Sequence, residues 1–166
     1  MAKISGEYKP SYSVISFVGN FDPAKSSAKY ADAIYVIYKD KDIKKYLELM
    51  DDYFKLMGEN ATPADYGKAA QNLYYAAGKK LAPADHEIAI NWVEKALTGE
   101  TSVVDRINYL VMIGDSYTAI KKYEDATKYY RQGYVESLQL NNMTQVQAMI
   151  QATIARKLAT LELLQK

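Results

Sequence analysis

The sequence predicts an all-α fold of about seven antiparallel helices, and three observations carry that expectation. Apolar residues recur every three or four positions along most of the chain, the period of a helix with one buried face. Helix start signals are frequent and fall about a helix length apart. Small residues stand in one register in two stretches offset by 37 residues, as closely packed helix pairs require.

Each element can be justified in turn. Residues 1–21 read as an extended lead-in that docks on the first helices. Its β-prone run, Tyr12-Ser13-Val14-Ile15-Ser16-Phe17-Val18, lacks clean alternation. Asp22-Pro23 places an N-cap residue before a first-turn proline and opens a helix over 23–39. The pattern resumes over 42–57 and stops at Gly58, where glycine takes a left-handed conformation easily. Thr62-Pro63-Ala64-Asp65 opens 63–79, with an acid three residues after the cap. Ala82-Pro83-Ala84-Asp85 echoes it and opens 84–98, with Gly99 as a second left-handed stop. Ser102 with Asp105 opens 103–120, and 122–139 follows a short loop. Thr144 with Gln147 fits a capping box at the head of 144–165. Short loops favour antiparallel neighbours.

Composition narrows the class. The chain has 166 residues, a usual size for one domain, and 49% are apolar when tyrosine is counted. With 21 basic and 20 acidic residues the net charge is +1, which offers no electrostatic footprint for nucleic acid or an anionic membrane. No apolar run approaches the roughly 18 residues of a membrane span. The chain has no cysteine, which excludes disulfides, thiol redox chemistry and thiolate–zinc sites within it. A single histidine, His86, cannot build a multi-histidine metal site. The opening MAKISGEYKPSYSVISFVGN is not a signal peptide, because VISFV is too short an apolar core. It does not look like the natural start of a compact domain, and a piece cut from a longer chain is the expectation.

The stretch YLVMIGDSYTAIKKYEDATKYYRQGY at 109–134 carries two glycines inside helical pattern. Each costs about 1 kcal/mol relative to alanine, so each needs a reason. The 37-residue shift supplies one. It aligns Leu73 with Leu110, Ala77 with Gly114, Ala89 with Ala126, Trp92 with Tyr129, Val93 with Tyr130 and Ala96 with Gly133. Each unit is a helix, a short loop and a second helix. Small side chains let the two helices approach, and neighbouring aromatics fill the space around them. Gly114, Ala126 and Gly133 are therefore expected at close contacts, and Trp92 in the core.

This pattern resembles the tetratricopeptide repeat. That motif has a large apolar residue, leucine-glycine and tyrosine in its first helix, then alanine, aromatic and alanine in its second. Leu110, Ile113, Gly114, Tyr117, Tyr123, Ala126, Tyr130 and Gly133 match it over 107–140, with Leu138 where the motif has proline. Leu73, Ala77, Ala89, Val93 and Ala96 match it over 70–98, where Lys80 takes the tyrosine site and the loop is longer. The resemblance implies a helical domain over 22–166: a degenerate pair over 23–57, two clear repeats, and a closing helix over 144–165, stacked as a superhelix. A weaker similarity is to helical tails of Bacteroidetes thioredoxin-like envelope proteins. It rests on Ala89-Ile90-Asn91-Trp92-Val93-Glu94-Lys95-Ala96-Leu97 and Lys121-Lys122-Tyr123-Glu124-Asp125-Ala126. It implies an accessory role in the periplasm or cell envelope, with any redox chemistry in a domain absent here. Otherwise a soluble cytoplasmic bacterial protein is expected.

Motifs for chemistry are missing. Gly67-Lys68 and Gly78-Lys79 lack the upstream glycine and following hydroxyl of a phosphate loop, and no GxSxG elbow occurs. His86, flanked by Asp85 and Glu87 in a first turn, reads as exposed or locally paired rather than as a general base. Asp51-Asp52 reads as a solvated face, since adjacent helical side chains diverge. Lysine pairs at 44–45, 79–80 and 121–122 read as solubilising. The sequons at Asn60 and Asn142 are short enough to arise by chance.

One surface is a candidate for binding. In tetratricopeptide arrays the first helices line a concave groove. Here their free faces hold Asn108, Val111, Met112, Asp115 and Thr118, and 37 residues earlier Gln71, Tyr74, Tyr75 and Gly78. These lie at helical spacing on one stripe. Amides, tyrosines and a methionine suit adaptable peptide contact. The stripe lacks the cations with which family members grip a terminal carboxylate. The expected role is a non-catalytic protein-interaction or scaffold module with no cofactor and no metal. Its partner is a protein, a peptide or a neighbouring domain. The alternatives are the accessory envelope domain and a helical protein that binds a small molecule or glycan through its tyrosines.

Overall fold

The computed structural model describes residues 21–166, so the expected lead-in lies almost wholly outside the described residues. Seven α-helices follow: α1 (Pro23–Tyr35), α2 (Ile43–Met57), α3 (Pro63–Ala77), α4 (Pro83–Ala96), α5 (Val103–Ala119), α6 (Tyr123–Ser137) and α7 (Thr144–Leu164). The chain after α1 continues as one wide π-turn over Val36–Asp40, and short 3-10 turns follow α2 and α3. Among the described residues there is no strand. The all-α expectation and every helix position hold to within a few residues.

Local chemistry accounts for the helix ends. The Asp22 and Asp42 carboxylates accept from the Lys25 and Lys45 backbone N–H groups at 3.0 and 2.9 Å. Thr62 and Asp65 complete a reciprocal box, the Thr62 N–H donating to Asp65 at 2.8 Å. At α4 only the returning half exists, from the Ala82 N–H to Asp85, because alanine has no side-chain acceptor. The box expected from Thr144 and Gln147 is not made. Gln147 instead donates from Nε2 to the Ser137 carbonyl at 3.0 Å, tying α7 to the end of α6. Gly58 does take a positive φ of 51°. Gly99 does not; a Cβ there would stand 2.6 Å from the Pro63 Cβ, so close approach, not handedness, calls for its glycine.

Consecutive helices pack as hairpins, α1 with α2, α3 with α4 and α5 with α6, and α7 closes the array against α6. The first core spans α1 to α5 around Tyr46, Met50, Leu73, Val93 and Ile113. Tyr46 is fully buried and donates its hydroxyl to the Ala69 carbonyl at 2.8 Å. Trp92 is core as expected, edge-on to Tyr46 with Phe54 tilted against it. The second core gathers Ile107, Ala126, Tyr130, Leu140, Ile154 and Leu161 between α5, α6 and α7. Gly114 is the close contact its register implied, since a Cβ there would lie 2.6 Å from Cδ1 of Tyr130. Gly133 is looser, with its nearest neighbour, Ile154 Cδ1, 3.5 Å from a built Cβ. Among the described residues no helix is long and apolar enough to cross a membrane.

Candidate functional site

The helix order leaves a cleft of about 640 Å³ where α3, α5 and α7 come together. Tyr74 of α3, Asp115 and Thr118 of α5, and Lys157 of α7 line it. His86 and Tyr130 close it from α4 and α6, and Leu81, Pro83, Ala119 and Leu161 supply apolar wall.

Tyr130 joins the packing to the site. Its ring lies against Gly114, which has no side chain to obstruct it, and its hydroxyl emerges on α5. There it donates to Asp115 Oδ1 at 2.5 Å and lies 3.2 Å from the Thr118 hydroxyl. Lys157 Nζ donates to the same Asp115 oxygen at 2.6 Å and lies 5.8 Å from the centre of the Tyr130 ring. Tyr74 donates to the Met112 carbonyl at 2.8 Å, which binds α3 directly to α5.

Burial, and then the Asp115 charge, hold the Tyr74 and Tyr130 phenols well above the usual tyrosine range, so both stay protonated donors. His86 is buried, contrary to the expectation of an exposed or locally paired side chain. Its Nδ1 lies 3.0 Å from Ser116 Oγ on α5. Burial pushes its pKa down, so it is neutral near pH 7. A histidine beside a serine has the atoms of a base and a nucleophile. Ser116, however, is fully buried and does not line the cleft. Among the described residues no three histidine or acidic side chains converge as metal ligands.

The predicted stripe divides. Tyr74, Asp115 and Thr118 line the cleft, as does Gly78. Met112 is half-buried against the first core and Val111 against the second, so both are packing residues. Gln71 is half-buried, while Asn108 and Tyr75 are exposed, Tyr75 at 73%. None of these three lines the cleft. Sequence reasoning missed Lys157, the cation the stripe lacked. The signal was present: Lys157 falls three after Ile154 and four before Leu161, on the buried face of α7. His86 carried a similar sign, since it shares its face with Ala89, Ile90 and Val93.

No protein-family model, curated protein or solved structure matches this chain.

Proposed function

We propose that the chain is a non-catalytic binding module, a tetratricopeptide-like stack of helical hairpins that holds a segment of a partner polypeptide in the cleft between α3, α5 and α7. One observation carries the reading. Residues from successive first helices, Tyr74, Asp115 and Thr118, meet Lys157 of the closing helix around one cavity with mixed polar and apolar walls. Its volume falls within the ordinary range for ligand pockets, and few convergent polar groups on an apolar lining are what such pockets present. The paired small positions, Ala77 and Gly114, both buried, support the repeat reading.

The test uses a photo-crosslinking residue in place of Thr160, which lines the cleft, or of Glu124, which is exposed elsewhere. Crosslinking to a discrete host protein is expected from position 160 only. It should vanish when Ala119→Trp fills the cleft from its exposed rim. Equal yield from position 124, or indifference to Ala119→Trp, refutes the reading.

A further inference from the structure

The polar floor of the cleft is a matched pair. Asp115 takes both of its protein hydrogen bonds on Oδ1, from Tyr130 and Lys157. Its Oδ2 accepts none from the described residues, and the Asp115 side chain is 40% exposed. Lys157 uses one of its three N–H donors on Asp115 and is 31% exposed. Among the described residues a free acceptor and a free donor therefore stand side by side, on a pair whose charges cancel.

This arrangement selects by charge. A ligand carboxylate drawn to Lys157 would lie within a few ångströms of the Asp115 carboxylate, and a ligand ammonium drawn to Asp115 would face Lys157. Each gains from one member of the pair and loses to the other. His86 lines the same cleft but, uncharged near pH 7, shifts the balance neither way. An uncharged group with a donor and an acceptor on one edge pays neither penalty. An extended peptide residue is such a group, because its own N–H and C=O point to the same side, as in an antiparallel ladder. Leu81, Pro83, Ala119 and Leu161 give an apolar side chain somewhere to go.

Resting on the binding reading above, we propose that the cleft recognises the backbone of an extended, uncharged peptide segment bearing an apolar residue, with Asp115 Oδ2 accepting that residue's N–H and Lys157 Nζ donating to its C=O. The segment is internal to the partner, not its terminal carboxylate.

Three probes separate the outcomes: acetyl-Ala-Leu-Ala-N-methylamide, the same peptide N-methylated at leucine, and the peptide ending in a free carboxylate. Binding to the full chain is followed by amide chemical shifts of α5 and α7. The neutral peptide should bind saturably. N-methylation, which removes the hydrogen Asp115 would accept, should weaken it at least tenfold, and so should Asp115→Asn with the parent peptide. Because the methylated probe needs no variant, the result stands even if Asp115→Asn unfolds. Equal binding of the methylated peptide, or tenfold tighter binding of the free acid, overturns this assignment and leaves the cleft as a peptide site. No shift with any probe at millimolar concentration overturns both.

Discussion

In the α3–α4 hairpin, positions 77 and 93 hold alanine and valine; in α5–α6, 37 residues on, positions 114 and 130 hold glycine and tyrosine. All four are buried. The second hairpin has moved volume from one helix to the other. The larger residue is then long enough to cross α5 and deliver a hydroxyl to Asp115. The cleft follows the same division. Positions 78 and 81 and their counterparts 115 and 118 all line it, yet the first pair is glycine and leucine and the second is aspartate and threonine. One hairpin thus contributes wall and the next the polar floor. The glycine at 114 is what permits the difference.

The comparison breaks most visibly at positions 92 and 129, which also correspond. Trp92 is 7% exposed against Tyr46 and Phe54. Tyr129 is half-buried, stacked on Tyr117, with its hydroxyl on Glu94. Trp92→Ala should cost about 3–5 kcal/mol in a urea titration, the usual loss for a large buried aromatic. Tyr129→Ala should cost about 1–2 kcal/mol, because much of its site stays wet. Equal losses would show that the two hairpins carry stability alike.

The next effect tests the volume exchange. Gly114→Ala places a methyl against the Tyr130 ring and should destabilise by about 1–3 kcal/mol, despite the better helix propensity of alanine. Gly114→Ala with Tyr130→Val recreates the pair at 77 and 93. It should be more stable than the sum of the single changes by at least about 1 kcal/mol, the scale of coupling between touching residues. Strict additivity in the double-mutant cycle would mean that the ring and the glycine do not constrain each other.

His86 distinguishes the two junctions by pH. Its counterpart in the next hairpin is Tyr123. Burial holds the His86 pKa below its ordinary value. The Asp85 carboxylate opposes that shift more weakly, and Ser116 and the Tyr74 ring face the imidazole as neutral groups. Below about pH 6.5 the unfolded chain therefore binds a proton that the folded chain resists. The contribution of His86 to stability is flat above that value and falls as pH drops through it, by about 1.4 kcal/mol for each unit between the two pKa values. Relative to the intrinsic exchange rate, hydrogen-exchange protection at pH 5.5 should fall in α4 and α5 before α6 and α7, and His86→Gln should remove that part of the slope. An unchanged slope in the variant assigns the acid sensitivity to carboxylates.

The helices were legible because their signals are local. Asp22, Thr62 and Ser102 cap where their sequence context implies, and the small-residue register located Gly114. The cleft was legible only in part, because it is assembled across the fold. Asp115 and Thr118 lay on the predicted stripe, but Lys157 comes from 42 residues away on a helix read only as a closing element. The acids beside His86 pointed to water, while its spacing with Ala89 and Val93 pointed to the core, and packing decided. Val111 and Met112 share a stripe with Asp115 yet turn to opposite cores, because α5 is packed on two sides.

The smallest effect separates the two glycines from each other. Gly133 corresponds to Ala96, which is buried. A methyl at 133 would meet Ile154 Cδ1 at 3.5 Å, Leu110 Cβ at 3.7 Å and Val111 Cγ2 at 3.8 Å, all ordinary contacts. No positive φ holds the position for glycine. Gly133→Ala should then lose nothing to sterics and gain helix propensity, up to about 1 kcal/mol. Part of that gain arises in the unfolded chain, which has fewer conformations to surrender. The melting temperature should rise by about 2–4 °C for each kcal/mol in a chain of this length. A fall of similar size would mean that α6 and α7 approach too closely for any side chain at 133. Gly133 would then be a packing glycine of the same kind as Gly114.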